Sequence, residues 1–150
     1  MATIILNDGS DTLTFDGVQY RVLDWSDVYR VGPSRGQNLR ISATDGTLPR
    51  GRSRDELPAE LRDVMVIGSR TPSGGLAVDP ADNCSELIRT LSMFLEAGPR
   101  QFTMTVEDGP LTLSAEVQFE EMGRWRFEND ATAKVNLLFT VADGRFVETS

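Results

Sequence analysis

The sequence from Gln101 to Val141 reads QFTMTVEDGPLTLSAEVQFEEMGRWRFENDATAKVNLLFTV, and apolar residues occupy every second position in three parts of it. Those positions are Phe102, Met104 and Val106, then Leu111, Leu113, Ala115, Val117 and Phe119, and finally Ala133, Val135, Leu137, Phe139 and Val141. This alternation is typical of antiparallel strands with one face on a core and one largely polar face. Asp108-Gly109-Pro110 predicts a hairpin between the first two strands, and Glu120–Asp130 is a charged excursion before the third.

Five Asp-Gly pairs punctuate the chain, and both residues tolerate the positive φ angles that tight hairpin turns require. The pairs begin at Asp8, Asp16, Asp45, Asp108 and Asp143. Asp16-Gly17 predicts a hairpin of its own, because it separates two short alternating runs, Thr12–Phe15 and Val18–Val22. Turn signals at this frequency indicate a β protein.

The middle of the chain is less regular than the last third. Leu57–Leu61 predicts a helical turn after Pro58, and Val64–Ile67 is a continuous apolar run that predicts a strand covered on both faces. The segment Ser69–Val78, with one proline and a Gly-Gly pair, has the composition of a mobile connection.

One amphipathic helix is predicted from Pro80 to Ala97. Asp79 is placed to cap it, Pro80 suits the first helical position, and Gly98-Pro99 ends it. Its apolar residues fall at helical spacing on a single stripe: Cys84, Leu87, Ile88, Leu91, Phe94 and Leu95. Such a stripe is expected to lie on a sheet.

Six to eight strands and one helix predict a mainly β (α+β) fold. We expect an antiparallel β-sandwich or half-open barrel with one flanking amphipathic helix. A chain of 150 residues has the size of one domain, so residues 1–150 are expected to form a single unit.

Positive charge is concentrated in Arg30–Arg54, which reads RVGPSRGQNLRISATDGTLPRGRSR, although the chain as a whole carries −8. The six arginines and one acid of this segment give +5, and the remaining residues, nine basic and 22 acidic, give −13. We call the segment the arginine-rich arm. It is too polar to fold alone and too long for an ordinary connection. It is either a solvated surface loop or an interface arm whose guanidinium groups pair with carboxylates of a neighbouring copy.

The residue inventory argues against catalysis. The chain has no histidine and one cysteine, Cys84, which excludes His-dependent triads, an internal disulfide and multi-cysteine zinc sites. Asp8–Asp11 and Asp79–Asp82 offer oxygen ligands without the full calcium pattern, so we interpret them as a turn and a helix cap. We therefore expect no enzymatic activity, no cofactor and no metal. No apolar run has the length of a membrane span.

Several motifs together resemble a known family. The residues are Arg35-Gly36-x-Asn38, Asp45-Gly46-Thr47-Leu48-Pro49-Arg50, Asp63 before the strand Val64–Ile67 and Gly68, Asn83 and Leu87 in the helix, Asp108-Gly109, and the closing FTVADGRF. Over roughly residues 20 to 148 the chain resembles small tail proteins of long-tailed, siphovirus-like actinobacterial phages. It is most similar to their tail-tube and distal-tail, or minor tail, proteins.

The resemblance implies a virion structural protein that is assembled in the host cytoplasm. Proteins of this family form six-fold rings around a channel through which DNA passes, with further tail proteins above and below. A long loop of each subunit reaches over the next one. The arm would take this role here, and its predicted inter-subunit residues are Arg30, Arg35, Asn38, Arg40, Asp45, Arg50, Arg52 and Arg54.

Two alternatives remain open at this stage. The first is a head-to-tail connector or tail terminator protein whose arm arginines contact DNA phosphates. The second is a small carbohydrate-binding β-sandwich that uses Trp25 and Trp125. A net charge of −8 argues against binding of nucleic acid or membrane by the body of the molecule.

Overall fold

The structure is a computed structural model and describes residues 2–29 and 56–149. The described residues form nine strands, a short 3-10 helix and one α-helix. The strands are β1 (Thr3–Asn7), β2 (Thr12–Phe15), β3 (Tyr20–Asp24), β4 (Leu57–Ile67), β5 (Gln101–Asp108), β6 (Leu111–Met122), β7 (Arg126–Asn129), β8 (Thr132–Val141) and β9 (Val147–Glu148). The 3-10 helix is Ser26–Tyr29, and α1 is Pro80–Glu96.

The strands form one antiparallel sheet in the order β2-β1-β5-β6-β8-β4-β3, with β7 added to β8 and β9 added to β6. The sheet curls so that its two terminal strands approach each other. The ring of Phe15 in β2 meets the ring of Tyr20 in β3 edge-on, with 5.7 Å between the ring centroids. The result is a nearly closed barrel with one helix, which agrees with the half-open barrel that the sequence predicts as one of two forms.

The predicted hairpin at Asp16-Gly17 is wrong in its pairing. The turn itself exists, with Gly17 N donating to Tyr20 O at 2.8 Å. However, β2 pairs with β1 and β3 pairs with β4, so the turn spans the open seam of the barrel instead of joining two partners. Local turn chemistry specifies a reversal of the chain, whereas the partners of each strand are decided by the rest of the sheet.

The three alternating segments of the last third are strands, as predicted. Asp108 pairs with Leu111 across the predicted turn, where Gly109 has a φ of 64°. Every second residue of β8 from Ala133 to Val141 is buried, and the apolar faces of the other strands meet it in one core. Part of the predicted excursion Glu120–Asp130 is also sheet, because β6 runs on to Met122 and β7 pairs with β8.

The prediction of a helical turn at Leu57–Leu61 is wrong, because these residues begin the long strand β4. Glu60 N points away from β8 and donates to Asp27 Oδ2 at 2.9 Å. Since alternate N–H groups of a strand point the same way, the missing N–H of Pro58 also falls on the side away from β8, where it breaks no ladder bond. Beyond Leu61 a bulge brings Asp63 to a φ of 54°.

Helix α1 packs its apolar stripe on the core of the barrel, and the prediction of one capped amphipathic helix is confirmed. The Asp79 carboxylate accepts from Asp82 N at the first turn. Cys84, Leu87, Leu91 and Leu95 are buried, with Ile88 and Phe94 packed beside them. The helix approaches the end of β4 so closely that a Cβ on Gly68 would lie 2.5 Å from Cys84 Cβ and 2.5 Å from Pro80 O.

The connection between β4 and α1 is a hydrogen-bonded loop. Thr71 N donates to Gly75 O at 2.9 Å, and Ala77 N donates to Ser69 O at 2.9 Å. Asn83 of α1 donates to Gly68 O at 2.8 Å and to Arg70 O at 2.9 Å, which fixes the loop to the helix. The glycine-rich composition therefore serves a defined turn, with Gly74 at a φ of 94°.

Candidate interaction site at the root of the arginine-rich arm

The eight predicted inter-subunit residues of the arm, from Arg30 to Arg54, lie outside the described residues. The structure instead describes both places where the arm joins the body. Tyr29 precedes the arm at the end of the 3-10 helix, and Glu56 follows it just before β4. We call the described residues around these two points the arm root.

A buried carboxylate ties the two sides of the arm root together. Asp27, in the 3-10 helix, is only 8% exposed. Its Oδ1 and Oδ2 atoms accept from Arg62 Nη1 and Nη2, both at 3.2 Å, in a two-pronged ion pair. The backbone N–H of Glu60 donates to the same carboxylate at 2.9 Å. The 3-10 helix is therefore held on β4, and the described residues on the two sides of the arm meet there.

Arg62 also pairs with two further acidic side chains, Glu60 in β4 and Asp24 in β3. Its Nε atom lies 2.8 Å from Glu60 Oε1, and its Nη1 atom lies 3.8 Å from Asp24 Oδ2. The hydrogen bond to Asp27 raises the pKa of Arg62 further, so the guanidinium stays charged. Because the Arg62 side chain is 37% exposed, solvent weakens these pairs, and the buried Asp27 contact is the one that positions the chain.

The arm root also contacts the hairpin between β5 and β6. Tyr29 Oη donates to Asp108 Oδ2 at 2.6 Å, which raises the pKa of the Tyr29 hydroxyl. Beside this bond is an open cleft of about 280 Å³. We call it the arm-root cleft, and its lining residues are Leu23, Asp24, Trp25, Ser26, Tyr29 and Asp108.

The arm-root cleft combines aromatic walls with negative charge. Tyr29 is 49% exposed, and Trp25 packs partly against the core. Hydrogen bonds from the backbone N–H and the hydroxyl of Ser26 hold the pKa of Asp24 below its usual value of 3.8. Asp24 is therefore ionised at neutral pH. An aromatic surface next to a carboxylate is suited to a guanidinium group, which can stack on the ring and fork onto the oxygens.

The described residues give no support to a metal centre. Among residues 2–29 and 56–149, no group of three or more Cys, Asp and Glu side chains is arranged to hold a metal ion. Asp8 Oδ1 accepts from Ser10 N at 2.8 Å and from Asp11 N at 2.7 Å, and these bonds lower its pKa, as expected of a turn. In the same ranges, no helix has the length and hydropathy needed to cross a membrane.

Sequence patterns missed the two residues that organise the arm root. Asp27 and Arg62 are separated by 35 positions, and neither stands in a motif. The available signal was the carboxylate of Asp27 beside Val28 and close to two aromatic residues, Trp25 and Tyr29, because a carboxylate is expected to need a partner when it is buried. Asp108 was recognised only as a turn residue.

No known family model matches the sequence, and no characterised protein matches it. A chain in the structure of the phage P2 baseplate in its activated conformation with Ca has a similar fold, with a TM-score of 0.60 at 12% sequence identity. The likeness covers 93% of this chain and 43% of that one, so this chain spans less than half the length of the baseplate chain. At such low identity the similarity shows a shared fold.

Proposed function

We propose that the chain is a structural subunit of a phage tail, with no enzymatic step in its role. The fold shared with a phage baseplate chain over 93% of this chain carries the proposal. The resemblance of the sequence motifs to tail-tube and distal-tail proteins of actinobacterial siphoviruses points the same way. The chain would act in the virion tail, together with other tail proteins.

Within that role, the subunit would form a homo-oligomeric ring of six copies around a channel for DNA. The charge distribution supports this arrangement, since an arm of +5 is attached to a body of −13. The adjacent strands β5 and β6 contain no Lys or Arg but carry Glu107, Asp108, Glu116, Glu120 and Glu121. A surface of this charge repels DNA phosphates and lets DNA slide past without adhering.

The arm would hold neighbouring copies together. Its arginines can make two-pronged, charge-assisted hydrogen bonds with carboxylates, which are stronger than neutral ones. The contacts of Asp27 and Tyr29 fix the described residues that flank the arm, so fewer residues have to be ordered when the arm docks.

Electron microscopy and light scattering of the purified protein test the proposal directly. We expect rings or short tubes for the wild type and folded monomers for the combined substitution Arg50→Gln, Arg52→Gln and Arg54→Gln. The matched control replaces three exposed arginines of the body, Arg89, Arg124 and Arg145, with Gln, which changes the net charge equally. A wild type that stays monomeric at physiological salt over a wide concentration range would overturn ring formation.

A second candidate is a head-to-tail connector or tail terminator protein in which the arm meets DNA. The concentration of six arginines and one acid in 25 residues favours it. It predicts DNA affinity that falls steeply with salt, with a slope that shrinks when arm arginines are removed. A DNA-binding titration at two or more salt concentrations separates the two functions, because the ring subunit is expected to show no such affinity.

A further inference from the structure

The geometry points to a specific docking site for the arm: we propose that the arm-root cleft receives an arginine from the arm of a second copy of this chain. This inference rests on the proposed function and adds the receptor to it. The cleft lies among Leu23, Trp25, Tyr29, Asp24 and Asp108, all of which belong to the described body.

Shape and chemistry of the cleft match a guanidinium group. A volume of about 280 Å³ accommodates one long side chain and its planar head. Leu23, 39% exposed, and the Trp25 ring offer apolar surface for the methylene stem, because arginine stems lie along apolar surface while the head stays polar. The guanidinium would then lie on an aromatic face, where cation–π attraction favours Arg over Lys.

The two carboxylates of the cleft retain acceptor capacity for such a head. Tyr29 occupies one oxygen of Asp108, and Ser26 occupies Oδ1 of Asp24. Each carboxylate offers about four lone-pair positions. Asp24 Oδ2 lies 3.8 Å from Arg62, beyond hydrogen-bonding distance, and so can accept from an incoming donor.

Charge complementarity identifies the occupant. Among the described residues that line the cleft, two are acidic and none is basic, although Arg62 lies 3.8 Å from Asp24 at its border. This charge favours a cationic side chain over nucleic acid. The arm supplies six arginines within 25 residues, and it begins directly after Tyr29 of each copy. Every copy therefore carries both an arm and a cleft. Copies can therefore associate head to tail, and such contacts form a ring where the rotation between neighbouring copies closes.

A mixing experiment tests docking between copies. One variant carries Asp24→Asn and Asp108→Asn, which keep the hydrogen bonds to Ser26 and Tyr29 but remove the charge. The other carries Arg50→Gln, Arg52→Gln and Arg54→Gln. Each variant alone is expected to stay monomeric, because every interface lacks one half. Mixed together, they retain one complete arm–cleft pair, so native mass spectrometry is expected to show a 1:1 heterodimer and no ring.

The control for the cleft variant is Asp8→Asn with Asp130→Asn. These substitutions remove the same charge from turns at the other end of the barrel, next to the ends of β1 and β7. Asp8 also precedes a glycine, as Asp108 does. The control is expected to assemble like the wild type.

A binding titration measures the affinity of the cleft for the arm in a protein that forms no ring. The probe is a synthetic peptide of residues 30–54, and the receptor is the arm-substituted protein with Trp125→Phe, so that Trp25 is the only tryptophan. The peptide should change Trp25 fluorescence, and Asp24→Asn with Asp108→Asn should weaken binding about tenfold or more. A peptide with citrulline in place of arginine should not bind.

The outcomes separate the inference from the proposed function. If the wild type forms rings and the cleft variant forms them equally well, the docking site is wrong while the ring subunit stands. If the wild type stays monomeric but the peptide binds the cleft, the ring proposal fails and the arm–cleft contact stands. If the mixed variants yield no heterodimer, the proposal that the cleft receives the arm of a second copy is overturned.

Discussion

The close approach of α1 to β4 makes Gly68→Ala a sharp test of the helix position. The new Cβ would lie 2.5 Å from Cys84 Cβ, 2.5 Å from Pro80 O and 2.7 Å from Cys84 N. Carbon atoms at rest are about 3.5–4.0 Å apart, so the helix must move by roughly 1 Å. All three obstacles belong to the backbone or to its first side-chain carbon, so no rotamer change relieves them.

The expected loss of stability follows from these contacts. Overpacking of this kind costs about 1–3 kcal/mol. A displaced helix also strains the hydrogen bond from Asn83 to Gly68 O, now 2.8 Å, which contributes roughly 0.5–1.5 kcal/mol. Alanine also restricts the unfolded chain more than glycine does, and this stabilises the folded protein by about 0.4–1 kcal/mol. These contributions combine to a net destabilisation of about 0.5–4 kcal/mol, or roughly 1–16 °C in melting temperature for a chain of this length.

Urea unfolding at fixed protein concentration measures this effect as a lower midpoint with an unchanged slope. Gly75→Ala is the matched control, because its Cβ would meet only Thr71 Oγ1 at an ordinary 3.4 Å. The control is expected within about 0.5 kcal/mol of the wild type. If Gly68→Ala unfolds at the same midpoint as Gly75→Ala, α1 does not lie against β4 as described.

Three further predictions concern single side chains. Leu91→Ala, at a fully buried position, should cost about 2–5 kcal/mol in urea unfolding. Burial raises the pKa of the Cys84 thiol, so a thiol reagent at pH 8 should react only as fast as the protein unfolds. The lowered pKa of Asp24 gives stability that is complete above pH 3.8 and is lost as the pH falls through the lower folded value. In Asp24→Asn, the melting temperature should therefore fall less steeply as the pH is lowered through the acidic range. A fall as steep as that of the wild type would contradict this.

The arm root shows why part of the candidate site was not predictable. The charge contrast of the arm is a property of composition and can be read directly from Arg30–Arg54. The cleft next to it depends on Tyr29 meeting Asp108, 79 positions away, and on Asp27 meeting Arg62. A single sequence contains no signal for pairs of this kind, because any of its carboxylates could be the partner.

Local patterns determined the elements of this protein. Alternation in β5, β6 and β8, together with the capped apolar stripe of α1, specified their faces, because side-chain direction repeats every two residues in a strand and about every 3.6 in a helix. The tertiary structure alone decided which strands pair. It placed β2 and β3 at opposite edges of the sheet despite the turn between them, and it made Leu57–Leu61 a strand. Strand partners are chosen by contacts that are distant in sequence, because backbone hydrogen bonds between strands are the same for every residue except proline.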